Sequence, residues 1–97
     1  MIEVKKMKNK IYSVIVTYNP NISILKQCID SLINQTDKIY IIDNTNLGCN
    51  DLEVFNDKKK IDVIFLNNNM GIAYAQNIGI NIAINEGADF VLTSDQD

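Results

Sequence analysis

The sequence contains neither histidine nor arginine, so all nine of its cationic side chains are lysines. Without histidine, these 97 residues can form neither a histidine-ligated metal centre nor a histidine-based catalytic triad. The formal net charge of −3 is the opposite of the basic surface that nucleic-acid-binding domains carry. We therefore expect no nucleic-acid partner.

Cysteines and long apolar runs are also scarce. The two cysteines, Cys28 and Cys49, are too few and too far apart for a disulfide framework or a zinc site. No stretch approaches the roughly 18 apolar residues that indicate a transmembrane helix. Residues 1–10 are not followed by an apolar run with a small-residue cleavage site, so no signal peptide is predicted. These features are typical of a cytoplasmic protein.

The chain nevertheless has enough apolar residues for one folded domain. Of its 97 residues 46% are hydrophobic, which suffices for a single core but not for two domains. We predict a flexible N-terminal tail over residues 1–10 and one domain over residues 11–97.

Runs of β-branched residues alternate with helical patterns along this domain. The pattern predicts strands and helices in alternation over residues 11–17, 23–35, 38–43, 52–56, 61–66, 72–86 and 88–94. This order predicts an α/β fold, a Rossmann-like three-layer sandwich with a mainly parallel sheet. Within the last predicted helix, Gly79 indicates close packing on the sheet, and Gly87 is placed for a C-terminal cap.

Polar side chains follow each predicted strand, at the sheet edge where such folds bind ligands. Asp95 and Asp97 could hold one Mn²⁺ or Mg²⁺, although a polar strand-to-loop junction is the alternative. Asp43 could accept hydrogen bonds from a base or a ribose, although an Asx-turn is the alternative. Asn69 is a candidate N-cap of the following helix, and the role of Asn77 stays open.

Four motifs occur in order along the chain: Thr17-Tyr18-Asn19-Pro20, Ile41-Ile42-Asp43-Asn44, Asn69-Met70-Gly71 and Asp95-Gln96-Asp97. Their order and spacing resemble the first half of a family 2 glycosyltransferase, and most closely its bacterial rhamnosyltransferase-like branch. The resemblance implies the nucleotide-binding half of a GT-A fold and inverting, Mn²⁺- or Mg²⁺-dependent sugar transfer. It also implies a donor such as dTDP-rhamnose or a UDP-sugar, and a glycan or lipid-linked acceptor of a cell-surface polysaccharide.

By motif position, the resemblance implies that the nucleotide sugar is bound by Thr17, Tyr18, Asn19, Asp43, Asn44, Asn69, Gly71, Asn77 and Asp95. Thr17 and Asp43 would contact the base and the ribose. Asn69, Gly71 and Asn77 would form the floor near the ribose and the diphosphate. Asp95 and Asp97 would be the metal-binding pair, with Asp97 as the direct ligand.

The resemblance also implies that the catalytic base lies beyond Asp97. We therefore expect this chain to be a piece of a longer enzyme and to be inactive alone. We expect the longer enzyme to act in the cytoplasm, including the inner face of the membrane. Gln76 stands where many relatives outside this branch carry arginine, which leaves the donor's identity open. A non-catalytic nucleotide-binding or regulatory α/β module is the second hypothesis. The free edge of the predicted sheet leads us to expect self-association.

Overall fold

The computed structural model describes residues 9–57 and 59–95. The elements follow in the order β1 (Ile11–Thr17), α1 (Ile22–Leu32), β2 (Lys38–Asp43), a 3₁₀ helix (Asn50–Phe55), β3 (Ile61–Phe65), α2 (Ile72–Asn85) and β4 (Phe90–Asp95). Within this part of the chain, four parallel strands form one sheet in the order β3-β2-β1-β4. The predicted Rossmann-like α/β fold is therefore confirmed.

The two faces of the sheet carry separate cores, as a three-layer sandwich requires. Ile15 and Ile41 pack with Leu25 of α1 on one face, together with the 3₁₀ helix. Val14 and the alternate residues of β2 pack with α2 on the other face. Side chains that alternate along a strand point to opposite faces, so both faces of the central strands are apolar and buried.

Helix α1 is shorter than its predicted span at the C-terminal end and begins one residue earlier. Its N-cap is Asn21, whose side-chain Oδ1 accepts a hydrogen bond from the backbone N–H of Ile24 at 3.1 Å. The helix ends at Leu32 instead of near residue 35. Beyond it, the Thr36 hydroxyl donates to the backbone carbonyl of Ile11 at 2.8 Å, which draws the chain into the start of β2.

Helix α2 lies directly against the sheet at Gly79. A Cβ atom at this position would lie 2.4 Å from Cγ1 of Val14 and 3.1 Å from Cγ1 of Ile42. The helix ends as predicted with Gly87 in a left-handed conformation, φ +98°. The N–H of Gly87 bonds to the carbonyl of Ile84, and the N–H of Ala88 reaches the carbonyl of residue 83, which is the Schellman arrangement.

A polar network ties the C-terminal end of α2 to the opposite edge of the sheet from the four motifs. The Tyr40 hydroxyl donates to Oε2 of Glu86 at 2.6 Å. The Lys38 ammonium lies 3.2 Å from the same oxygen and 3.7 Å from Oδ2 of Asp62. Burial, and then the bond to Glu86, raise the pKa of the Tyr40 phenol well above its ordinary value. The Tyr40 bond, and then Lys38, lower the pKa of Glu86.

Among the residues that the structure describes, strand β4 forms one edge of the sheet. Phe90 and Leu92 on this strand are 55% and 42% exposed. Lys10 pairs with the start of this strand, since its N–H bonds to Oδ2 of Asp89 and its carbonyl accepts from the Asp89 N–H. A tail over residues 1–10 and self-association through this edge stay predictions. Over the residues that the structure describes, no helix has the length and apolar character needed to cross a bilayer.

Replacing Gly79 by alanine should lower the free energy of unfolding. Overpacking against Val14 costs about 1–3 kcal/mol, while the better helix propensity of alanine returns about 1 kcal/mol. Urea unfolding measures the net loss. Asn81→Ala, on an exposed position of the same helix, is the control and should leave stability unchanged or slightly higher. A Gly79→Ala variant as stable as the wild type would contradict the close contact.

Alkaline pH should destabilise the protein through Tyr40. Because its pKa is raised in the folded state, the stability it contributes is complete below pH 10, the unfolded value, and is lost as pH rises above it. Tyr40→Phe should reduce the slope of stability against pH between about pH 10 and 11. Tyr74→Phe, at an exposed position on α2, is the control in the same urea titrations. An unchanged slope in Tyr40→Phe would refute this role.

Candidate functional site

The motifs meet at the carboxyl-terminal edge of the parallel sheet. In the strand register, Thr17 of β1 is paired with Asp43 of β2, and Val16 is paired with Asp95 of β4. The chain leaves β1 towards β2 on one side, whereas β4 lies on its other side. This reversal of strand order is where open α/β sheets form a ligand crevice. The backbones at residues 17, 43 and 95 therefore lie on three adjacent strands at that crevice.

Asp43 is the centre of a buried hydrogen-bond cluster at this edge. Its Oδ1 accepts from the Thr17 hydroxyl at 2.8 Å, from the Thr45 hydroxyl at 2.7 Å and from the Thr45 N–H at 3.3 Å. Its Oδ2 accepts from the backbone N–H of Cys49 at 3.0 Å. The contact with the Thr45 N–H is the Asx-turn that the sequence offered as an alternative. A fully buried carboxylate is thus compensated by four donors.

Thr17 and Asp43 are both fully buried and bond to each other. Their side chains hold β1 and β2 together at the point where the strands end. Direct contact with a base and a ribose, which the resemblance implies for both residues, stays a prediction. In the structure their side chains form the support beneath the edge.

Asn44 is also buried, and it connects β2 to the loop before α2. Its Nδ2 donates to the carbonyl of Gly71 at 3.2 Å, and its Oδ1 accepts from the N–H of Met70 at 3.2 Å. Its own N–H donates to the Thr17 carbonyl at 2.7 Å. The side chain therefore spans two segments that lie 27 residues apart in the sequence.

Asn69 does not cap α2, so that expectation is wrong. The N-cap is Gly71, which has φ +86° and makes no side-chain cap bond. Oδ1 of Asn69 instead accepts from the Gly71 N–H at 3.0 Å, and the N–H of Asn69 donates to Oδ1 of Asn46 at 2.9 Å. Asn69 lies two residues before the N-cap, so its side chain reaches the Gly71 N–H and not the first turn of the helix.

Five further nucleotide-binding candidates are exposed at the same edge or on the helix that starts there. Tyr18 is 40% exposed, and Asn19, Asn69, Gly71 and Asn77 are exposed. Around a Cβ built on Gly71 there is no atom within 4 Å, so space is open at the start of α2. The predicted residues thus divide into a buried group that supports the edge and an exposed group that a ligand can reach.

Each loop at this edge contains a non-glycine residue with a left-handed backbone. These residues are Asn19 after β1, Leu47 after β2 and Asn67 after β3, with φ of 43°, 65° and 61°. Asparagine tolerates this conformation, but for leucine it is uncommon. The Leu47 side chain is 92% exposed. Such backbones collect at functional sites, where the surrounding structure holds them in place.

Two residues of this edge were absent from the predicted set. The Thr45 hydroxyl donates to Asp43 and also accepts from the N–H of Asn19 at 2.8 Å, so it joins the first two motifs. Asn46 accepts from Asn69, as described above. The spacing of Thr45 two residues after Asp43 is the sequence signal for an Asx-turn that could have identified it.

The carboxylates at this edge of the sheet differ in how well they could bind a hard divalent cation. The Asp43 carboxylate is buried and already accepts four hydrogen bonds, which disfavours it as a cation ligand. Over residues 9–57 and 59–95, no group of three acidic, cysteine or histidine side chains could hold a metal ion. Asp95 ends β4 at the crevice, and Asp97 lies outside the described residues. Carboxylate oxygens from this pair fit Mn²⁺ or Mg²⁺ by chemistry.

Comparison with known proteins agrees with the motifs at this edge. The family described as glycosyl transferase family 2 matches residues 13–97, which is most of the chain and includes β2, β3, β4 and all but the first two residues of β1. The chain belongs to the family 2 glycosyl transferases. The predicted family is therefore confirmed.

A curated relative lies within the branch that the motifs resemble. The dTDP-rhamnosyl transferase RfbF of Shigella flexneri is 41% identical over 92 residues, which cover 94% of this chain. The chain spans only 30% of the length of that relative. No solved structure gives a significant match. Within this glycosyltransferase family, the chain thus corresponds to the nucleotide-binding half of the fold.

Thr45→Val should destabilise the protein because it leaves the N–H of Asn19 without its acceptor and removes one donor from Asp43. Losing hydrogen bonds to a buried charged group costs about 1–3 kcal/mol. Thr93→Val, the same change at an exposed position of β4, is the control and should be nearly neutral. Urea unfolding of both variants gives the comparison. Equal stability of the two variants would contradict a supporting role for Thr45.

Proposed function

We propose that this chain is the donor-binding portion of an inverting, metal-dependent glycosyltransferase of the rhamnosyltransferase type. It would bind a nucleoside diphosphate sugar, such as dTDP-rhamnose or a UDP-sugar, whose sugar is transferred to a glycan or lipid-linked acceptor of a cell-surface polysaccharide. The observation that carries the proposal is the register of β2, β1 and β4, which brings three motif positions to one crevice. Family membership and the likeness to a rhamnosyl transferase support it.

The exposed residues are suited to the nucleoside. The partly exposed ring of Tyr18 offers a face on which a base can stack. The neighbouring Asn19 amide is exposed and can donate to and accept from a base or ribose. The Asp43 carboxylate, which also accepts from the Thr17 hydroxyl, holds Thr45, and Thr45 in turn accepts from the N–H of Asn19.

The start of α2 is suited to the diphosphate. The first N–H groups of a helix lack partners within the helix and favour negative charge. The first turn of α2 contains no acidic residue to repel an anion. Gly71 leaves open space there, and Asn77 lies exposed on the same helix. We assign to these residues the floor beneath the ribose and the diphosphate.

Asp95 and Asp97 are the residues we propose to hold Mn²⁺ or Mg²⁺. When bound, such a cation would neutralise charge on the diphosphate and stabilise it as the leaving group. The protein's own part is to present Asp95 on β4 beside the last residues of β1. The acceptor hydroxyl would be deprotonated by a carboxylate base from residues beyond Asp97, so this portion alone would not turn over. We place the reaction in the cytoplasm, at the inner face of the membrane.

Calorimetric titration of the chain with dTDP, with and without Mn²⁺, tests this function. We expect dTDP to bind more tightly with Mn²⁺, and Asp97→Asn to remove that difference. UDP in a parallel titration compares the two bases. Asp51→Asn, which changes an acidic residue of the 3₁₀ helix, is the charge-matched control and should behave as the wild type.

Binding that is equally strong with and without Mn²⁺ would overturn the metal site. Absence of binding to either nucleotide would overturn the proposed function. Metal-dependent binding by a longer gene product that transfers no sugar would favour the non-catalytic module instead.

A further inference from the structure

Asn44 uses both ends of its side-chain amide on the loop that opens α2. The amide nitrogen donates to the Gly71 carbonyl, and the amide oxygen accepts from the Met70 N–H, each at 3.2 Å. The residue is 2% exposed, so neither group has water as an alternative partner. Burial therefore leaves this side chain little surface for a nucleotide to contact.

Asn44 adds its two bonds to a glycine-containing segment in which the Gly71 N–H bonds to Asn69 Oδ1 and the Gly71 carbonyl accepts from the Ala75 N–H. Gly71 has a left-handed backbone, lies exposed and has no atom packed where a side chain would be. Glycine loses more conformational entropy on ordering than other residues. The two bonds from a buried side chain compensate for that loss, because Asn44 is itself fixed by its N–H bond to the Thr17 carbonyl.

We infer that Asn44 is a positioning residue, which holds the Met70 N–H and the Gly71 carbonyl so that the first turn of α2 faces the diphosphate of the donor. This inference rests on the proposed function, since the diphosphate is its ligand. Asn44 thus acts through Gly71 and does not itself bind the nucleotide. Its bond to the Thr17 carbonyl couples the loop position to the end of the strand that Tyr18 and Asn19 follow.

The chemistry of the amide explains why asparagine is suited to this position. One end must donate to a carbonyl while the other accepts from an N–H. Aspartate has the same shape, but when ionised it can serve only the Met70 N–H. Alanine serves neither group. These two substitutions therefore separate the two bonds.

Two measurements on the chain test the inference. In the absence of nucleotide, amide hydrogen exchange should become at least tenfold faster at Met70 in Asn44→Ala, while β1 keeps its protection. In Asn44→Asp the protection of Met70 should return. In titrations with dTDP and Mn²⁺, both variants should bind about tenfold more weakly than the wild type, which corresponds to about 1.4 kcal/mol. Asn68→Ala, an exposed amide in the same loop, is the matched control and should match the wild type in both.

The outcomes distinguish this inference from the function on which it rests. If the wild type binds dTDP and Asn44→Ala binds equally well, the positioning role is overturned and the proposed function stands. If exchange at Met70 is unchanged in Asn44→Ala, the inference also fails. If the wild type does not bind any nucleotide, the proposed function and this inference fall together. If β1 loses protection in Asn44→Ala, Asn44→Asp provides the decisive exchange comparison, and loss of Met70 protection there too would overturn the role.

Discussion

The need to satisfy the buried Asp43 carboxylate is the constraint on which the carboxyl-terminal edge of the sheet depends. A charge buried at the end of a central strand is tolerated only if hydrogen-bond donors surround it. Those donors come from β1, through the Thr17 hydroxyl, and from the loop after β2, through Thr45 and Cys49. Satisfying one carboxylate therefore fixes the relative position of two motifs, and Thr45 extends the arrangement to the N–H of Asn19.

Burial separates the motif residues into two kinds of role. Thr17, Asp43 and Asn44 are buried and their side chains bond within the protein, whereas Tyr18 and Asn19 are exposed. A rigid support beneath a few exposed contacts keeps the exposed groups in a bound-like geometry before the ligand arrives. Motif membership alone does not separate the two kinds, because adjacent residues in a strand point in opposite directions.

Helix α2 is held at three points along its length, which matters because its first turn is the proposed diphosphate site. Gly79 lets the middle of the helix lie against Val14, and the network of Tyr40 and Glu86 holds its C-terminal end. Asn44 holds the loop that precedes its N-terminus. Movement of the first turn would require loss of these contacts, so the position of the helix dipole is set by the sheet.

The sequence by itself determined the order in which strands and helices follow along the chain, the parallel sheet, the family, and the roles of Gly79 and Gly87. These features are local, because β-branched runs, turn residues and glycines constrain their own backbone. Only the tertiary structure decided that Gly71 and not Asn69 caps α2, and that Asn44 bonds across 27 residues to that loop. A short polar side chain has many potential partners in the sequence, and packing of distant segments selects which one it meets.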